Sequence, residues 1–222
     1  MTDKKTKKSY TTRTAKQFNR WRRIFQIIIC KIFYMMIFKV IYRLEIHGRE
    51  NIPKDNNYIV CPNHLSTLDP PLIVSIFPRG VAFMAKKELF DIRFLRWWID
   101  WLGAFAVNRE SLGPSTVKTI IGIRKSNWVL GMFPQGTRQK PGKIEEISKG
   151  FAGIAKITKC AILPVGILGT ENSRKIPFSG KIIVNIGEPI PYDENTNNMV
   201  DAWTTSIQEL TGYKYVTPTT QV

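Results

Sequence analysis

Residues 24–42 read IFQIIICKIFYMMIFKVIY, nineteen positions at which only Gln26, Lys31 and Lys39 are strongly polar. A helix that is apolar on every side must be buried in protein or sit in a membrane. Ahead of it lies a basic arm: Lys4, Lys5, Lys7, Lys8, Arg13, Lys16, Arg20, Arg22 and Arg23. The first 50 residues carry 13 Lys/Arg against 3 Asp/Glu, and the other 172 carry 20 against 14. Most of the net charge of +16 is therefore amino-terminal, which points to an anionic partner. Helical spacing places Arg13, Lys16, Arg20 and Arg23 on one stripe. A bilayer span needs about 20 apolar residues, so length permits one. Two lysines inside it weigh against a span, at about 2.5–3.5 kcal/mol each near the bilayer centre. In a shallow interfacial helix they snorkel instead. The run is expected to anchor the chain at a membrane surface, with the arm on the cytoplasmic face of the cell membrane. A long core helix with a basic tail is the competing reading. A secretory signal is disfavoured, because the basic region is long and no small-residue cleavage site follows.

The rest of the chain reads differently. Short apolar strands are expected at 44–47, 58–61, 81–84, 104–107, 128–133, 162–167 and 181–186. Helices are expected at 70–77, 88–102, 115–126, 150–158 and 198–210, with a loose tail after Thr211. The expected fold is α/β: a single mixed sheet flanked by helices, with an amino-terminal membrane-associated helical segment. Residues 1–43 form the arm and helical segment, and residues 44–222 one catalytic domain. Cys30, Cys61 and Cys160 are scattered, which argues against a disulfide framework. With only His47 and His64, a histidine-rich metal centre is ruled out, and no metal is expected.

Residues 61–71, CPNHLSTLDPP, lie between an expected strand and an expected helix, where α/β folds concentrate function. His64 and Asp69 are five apart. On a continuous helix they would not share a face, but a tight turn would fold Asp69 back onto His64. A carboxylate on one imidazole nitrogen fixes the tautomer and leaves the other nitrogen free to take a proton. Taken alone, these residues favour a structural reading. Asp69 before Pro70–Pro71 suits a helix N-cap, and a histidine beside a buried strand is commonly just hydrogen-bonded.

Asn63-His64-Leu65-Ser66-Thr67-Leu68-Asp69 matches the NHx4D motif and resembles the glycerolipid acyltransferases, most of all the 1-acyl-sn-glycerol-3-phosphate acyltransferases. Further blocks follow in order. Ala85-Lys86-Lys87-Glu88-Leu89 is similar to the family's AK-x-EL segment. Gly103-Ala104-Phe105-Ala106-Val107-Asn108-Arg109 is similar to its second block. Phe133-Pro134-Gln135-Gly136-Thr137-Arg138 is similar to FPEGTR, and Ile162-Leu163-Pro164-Val165-Gly166 to the apolar-Pro strand. The resemblance spans 60–170 and departs once, with Gln135 where the family usually has Glu. Gln keeps the length and an acceptor but loses the charge.

The resemblance implies transfer of a fatty acyl group from a thioester, on coenzyme A or acyl carrier protein, to the sn-2 hydroxyl of 1-acyl-glycerol-3-phosphate. No cofactor is called for. His64 would be the general base and Asp69 its orienting partner. Asn63, Lys86, Arg109, Phe133, Pro134, Gln135, Gly136, Thr137 and Arg138 would form the substrate site. Within it Arg109 and Arg138 would fork onto the acceptor's phosphate and Lys86 would add a point charge. Acylation of another hydroxyl or lysophospholipid is the alternative, kept open by Gln135. GMFPQGTR is superficially similar to a nucleotide-binding loop, but lacks the Lys after the second Gly and is interrupted by Pro134. No nucleic-acid reader motif is present, so the expected anionic partners are lipids and the acyl donor. Phe94, Trp97, Trp98 and Trp101 beside Arg93 and Arg96 suit a lipid interface, an acyl tunnel wall or an ordinary core helix.

Overall fold

The computed structural model describes residues 14–107, 113–172 and 180–216. Seven strands form one mixed sheet: β1 (Glu45–His47), β2 (Tyr58–Pro62), β3 (Gly80–Lys86), β4 (Phe105–Val107), β5 (Trp128–Gly131), β7 (Ala161–Leu168) and β8 (Ile183–Ile186), in the order β1-β8-β7-β2-β5-β3-β4. The five strands from β7 to β4 are mutually parallel, and β8 turns antiparallel to β7 and carries β1 in parallel. Alternation along β2 divides the core. Ile59 and Cys61 face one apolar cluster, whereas Tyr58 and Val60 face the other.

The first face is covered by α5 (Pro114–Arg124), α6 (Gly150–Thr158) and α7 (Thr196–Thr211). Trp203 of α7 is fully buried and donates Nε1–H to Cys61 O at 2.8 Å, which fixes α7 against the end of β2. The second face is covered by α3 (Asp69–Ile76), whose residues 72–76 are all buried. A short helix so apolar needs cover on two sides. The sheet supplies one, and the amino-terminal helix, Arg20–Ile41, supplies the other.

That helix is α-helical over Arg20–Gln26 (α1), a π-helix over Ile27–Tyr34, and α-helical again over Met35–Ile41 (α2). Gln26, Cys30 and Phe38 are buried on one stripe, with half-buried Tyr34 between them. Spacing of four drifts around an α-helix but falls short of a turn in a π-helix, so the mixture keeps the stripe on one face. Gln26 is its polar anchor. Its Nε2 donates to Val81 O at 2.9 Å and Leu102 O at 2.7 Å, and its Oε1 accepts from Val81 N at 3.2 Å. Ser75 Oγ of α3 donates to Cys30 O at 2.7 Å. The opposite stripe, Ile28, Ile32, Met36 and Val40, is exposed, as are Trp21 and Phe33. Among the described residues this is one helix long and apolar enough to cross a membrane.

Four expectations are corrected. The basic stripe is broken, because Ala15–Gln17 is a 3-10 turn and the helix begins only at Arg20, with Asn19 Oδ1 accepting from Arg22 N at 3.1 Å. Between them Phe18 dips into the core against Trp128, which takes Lys16 off the helix. Arg13 lies outside the described residues. The helix expected over 88–102 is split into a 3-10 turn, Lys87–Phe90, and α4 (Arg93–Trp101), with Ile92 extended between them. The break turns Phe90 into the core and leaves Phe94 exposed. The strands expected over 128–133 and 181–186 shorten, releasing Phe133 to a loop. The chain after Thr211 is not loose as far as residue 216. Gly212 ends α7 in the left-handed region, and β9 (Lys214–Tyr215) pairs in parallel with β6 (Lys143–Ile144) as a second, two-stranded sheet.

The aromatic residues of α4 meet the amino-terminal helix. Phe25 packs edge-on to Trp97 and Trp98 and tilted to Trp101 at ring separations of 5.4–6.3 Å. Arg22 pairs with buried Asp100 at 3.2 Å and lies 5.7 Å over the Trp101 ring. Phe94 and Trp97 keep exposed faces beside this cluster.

Candidate active site

Because β7, β2, β5, β3 and β4 are parallel, their carboxyl ends share one edge of the sheet. Ligands of open α/β sheets bind along such an edge. His64 follows β2, residues 133–138 follow β5, Lys86 ends β3, and Thr170 and Glu171 follow β7. Arg109 lies outside the described residues; the strand leading to it ends at Val107, in register with Lys86.

Asp69 opens α3 but does not cap it: the N-cap residue is Leu68, without a side-chain bond to the helix. The carboxylate folds back onto the preceding loop instead. Its Oδ2 accepts from Leu65 N and Ser66 N, both at 2.7 Å, and lies 2.8 Å from His64 Nδ1. Asp69 is completely buried, and its Oδ1 has no hydrogen-bond partner. Two backbone N–H groups commit Oδ2 to accepting, so the contact with His64 is completed with the proton on Nδ1. Nε2 then carries the free lone pair. The imidazole is 15% exposed and stacks on Phe133 at 3.9 Å and 18°, and Phe133 stacks in turn on Phe83 at 5.1 Å. The ring is held from one side and one edge, with the Nε2 edge open.

The backbone of His64 is fixed just as closely. Asn63 behaves as an extra step of the β2–β7 ladder: its Nδ2 donates to Ile167 O at 3.0 Å and its Oδ1 accepts from Ile167 N at 2.6 Å. Expected to contact substrate, Asn63 is buried with both ends of its amide occupied, and it holds His64 in place. Gln135, also expected at the substrate, is likewise turned inward. It is buried, its Oε1 accepts from His64 N at 2.7 Å, and its Nε2 donates to Gln139 Oε1 at 3.1 Å. Gln139 closes the ring, with its N donating to His64 O at 2.8 Å. Pro134 is also buried. Gly136 turns the loop at φ +68°, a left-handed conformation that a side chain strains, and this carries Thr137 and Arg138 out to solvent.

Arg138 is exposed and has no carboxylate partner among the described residues. Lys86 is exposed with Glu88 3.9 Å away. Both present positive charge on the edge that carries His64. Gln139 is a neighbour of the site that sequence reading missed, and Tyr213 packs against the first apolar cluster. Burial pushes the Tyr213 phenol up to about 12, the charges of Glu171 and Asp69 add to the rise, and a Gly142 backbone bond opposes it. The signal for Gln139 was its position four residues after Gln135; Tyr213 had none, as it lies in a segment with no strand pattern of its own.

A base with an open nitrogen, a buried carboxylate behind it and cations nearby can deprotonate a hydroxyl on a phosphorylated acceptor. Residues 43–168 match the Acyltransferase family model, and the chain belongs to that family. Among its relatives, a 1-acyl-sn-glycerol-3-phosphate acyltransferase from Bacillus subtilis (strain 168) is 31% identical over 176 residues, 75% of this chain and 87% of the relative. A protein of the same name from Streptococcus pneumoniae is 31% identical over 175 residues; the match covers 78% of this chain but 65% of that longer relative. The crystal structure of the 1-acyl-sn-glycerophosphate (LPA) acyltransferase PlsC from Thermotoga maritima superposes with a TM-score of 0.63 at 27% identity, covering 88% of this chain and 79% of that one. The expected α/β architecture is thus the architecture of a solved acyltransferase.

Proposed function

We propose that this chain transfers a fatty acyl group from an acyl thioester to the sn-2 hydroxyl of 1-acyl-glycerol-3-phosphate, forming phosphatidic acid. The observation that carries this reading is the His64 Nδ1–Asp69 Oδ2 contact of 2.8 Å with Nε2 left open. A glycerol hydroxyl is a poor nucleophile at neutral pH and needs a base within hydrogen-bond reach. His64 Nε2 takes the hydroxyl proton as the oxygen attacks the thioester carbonyl carbon. Asp69 stabilises the imidazolium that results. The tetrahedral intermediate collapses with cleavage of the carbon–sulfur bond, and Nε2–H passes its proton to the departing thiolate. Coenzyme A and acyl carrier protein both supply such a thiol, and the thioester itself carries the activation, so the route draws on no further cofactor.

Arg138, Lys86 and Arg109 hold the acceptor's phosphate in this reading, and Phe133 holds the imidazole plane. Gln135 spends its amide on His64 and Gln139 rather than on the acceptor. Gln in place of Glu then bears on the base's position, which supports the lysophosphatidate acceptor. The lysophosphatidate reading is also the one that agrees with the relatives' names.

Membrane docking belongs to the same proposal. The Gln26–Cys30–Phe38 stripe is spent on the domain, while Ile28, Ile32, Met36 and Val40 face outward beside Phe94 and Trp97. That geometry supports an interfacial helix over a span, with the basic arm on the cytoplasmic side. The test is an assay of folded protein in detergent with 1-oleoyl-glycerol-3-phosphate and each acyl donor in turn. Phosphatidic acid that disappears with His64→Ala is the expected result. No product with either donor would refute the lysophosphatidate assignment.

A further inference from the structure

At the end of the sheet opposite His64, an open groove of about 640 Å³ is lined by Arg23, Lys31, Arg49, Lys54 and Arg79. Its floor is the carboxyl end of α3, at Ile76 and Pro78. Topology explains why the cations gather there. Arg79 immediately precedes β3, Lys54 lies before β2, and Arg49 follows β1, which with β8 runs opposite to the five parallel strands. Arg23 and Lys31 come from the flank of the amino-terminal helix that overhangs this end.

One of the five cations is structurally committed. Arg79 bonds Asp55 O, Lys54 O and Asn127 Oδ1. Arg23 and Arg49 each reach only one backbone carbonyl at long range, Pro78 O at 3.5 Å and Ile76 O at 3.4 Å. Neither of these arginines, nor Lys31 or Lys54, pairs with a carboxylate among the described residues. The cluster works against itself: burial pulls the Lys31 amine below the usual lysine range, and the charges of Arg23 and Arg49 pull it further. Like charges in a half-desolvated groove without a counter-ion are unfavourable until an anion arrives. The groove also lies at a particular depth. Lys31 is about a quarter turn from the exposed Ile28–Ile32–Met36–Val40 stripe, so insertion of that stripe to the acyl boundary brings the groove to the level of lipid phosphates.

We propose that the groove seats the phosphate of an anionic glycerophospholipid, as a second anion site apart from the His64–Asp69 centre. It rests on the membrane docking proposed above. A bound headgroup would neutralise Arg23, Lys31 and Arg49 together and pin the helix at a fixed depth and rotation, with the catalytic edge of the sheet turned toward the other flank of the helix.

The test is co-sedimentation of the full chain with phosphatidylcholine vesicles, with and without phosphatidylglycerol. The groove variant is Lys31→Gln/Arg49→Gln. The charge-matched control, Lys118→Gln/Lys214→Gln, lies on exposed positions of α5 and β9, on the face of the sheet away from the amino-terminal helix. Each cation at the membrane surface is worth about fivefold in binding. The groove variant is expected to lose roughly 25-fold on phosphatidylglycerol vesicles, against less than about twofold for the control, whose lysines project from the other face of the sheet. On phosphatidylcholine alone all three should bind alike. Should the double variant not fold, Lys54→Gln, an exposed side chain, is expected to lose about fivefold by itself. Equal losses in groove and control variants would mean diffuse charge attraction and overturn the groove while leaving the docking in place. A chain that binds neither vesicle would remove the docking itself. Displacement from phosphatidylglycerol vesicles by inorganic phosphate, beyond that by chloride at equal ionic strength, would mark a free-anion site and overturn the lipid assignment.

Discussion

Gln135 accepts the backbone N–H of His64 at 2.7 Å across 71 residues of chain, and this bond, with Gln139 behind it, sets where the imidazole stands. The amide orientation is not free. Glu145 N donates to Gln139 Oε1 at 2.9 Å, and Gln139 Nε2 donates to Glu146 O at 3.2 Å. Gln139 therefore turns its oxygen toward Gln135, and only a donor at that point of Gln135 completes the chain.

Gln135→Glu is accordingly expected to impair this protein. Its second carboxylate oxygen would face Gln139 Oε1, acceptor against acceptor. Flipping Gln139 to meet it would set Nε2 against Glu145 N–H and oxygen against Glu146 O. An unsatisfied buried group costs about 1–3 kcal/mol. The expected outcome is a fall in kcat of about tenfold with KM for lysophosphatidate little changed, and an unfolding midpoint lower by roughly 2–12 °C. A raised KM at unchanged kcat would instead place Gln135 against the acceptor.

Asp69 separates catalysis from stability. Asp69→Asn keeps an oxygen able to accept from Leu65 N and Ser66 N but removes the charge behind the imidazolium. Steady-state kinetics should show kcat falling by about 10²–10⁴-fold, while the unfolding midpoint moves by only a few degrees. Asp69→Ala orphans both N–H groups and should lose stability as well, by about 2–4 kcal/mol in denaturant titration. Equal stability loss in both variants would make the carboxylate's role structural.

Which parts were legible in the sequence follows from where the determinants lie. His64 and Asp69 are local, five residues apart in one loop, and their motif is readable without the fold. Strand and helix order was readable because each strand is apolar through both faces of a covered sheet. The inward turn of Asn63 and Gln135 was not, because Asn63 depends on Ile167 of β7, 104 residues away, and Gln135 on the backbone of His64, 71 residues away. Residues 24–42 read as apolar all round because one stripe answers to the domain and the opposite one to the surroundings. Gln26 looked like an interruption until Val81 and Leu102 supplied its partners. The β6–β9 pair is two residues long on each side and carries no period to detect.

Gln26 also provides a test of whether the amino-terminal helix is part of the folded domain. Gln26→Leu keeps the length and apolar bulk but leaves Val81 N, Val81 O and Leu102 O without their side-chain partner. Thermal unfolding in detergent should show a loss of about 3 kcal/mol, on the order of 10 °C for a chain of this size. An unchanged midpoint would mean that the helix stands off the sheet in solution.

Lys31 should behave in the opposite sense. Burial first, then Arg23 and Arg49, lower its pKa from the ordinary 10.5, so the charged amine is held at a cost in the folded chain. A group whose folded pKa is depressed below its unfolded value binds fewer protons when folded. For a lysine the penalty is therefore full below the folded pKa, where both states are charged. It fades as pH rises and vanishes above the unfolded pKa, where both are neutral. Lys31→Met should raise the unfolding midpoint at about pH 7, and the gain should narrow as pH climbs toward about 10. The same variant should bind phosphatidylglycerol vesicles more weakly. A residue kept for packing would lose stability on replacement, whereas one kept for an anion gains stability in its absence and loses affinity for it. A variant that is both less stable and fully competent for vesicles would exclude Lys31 from the groove's function.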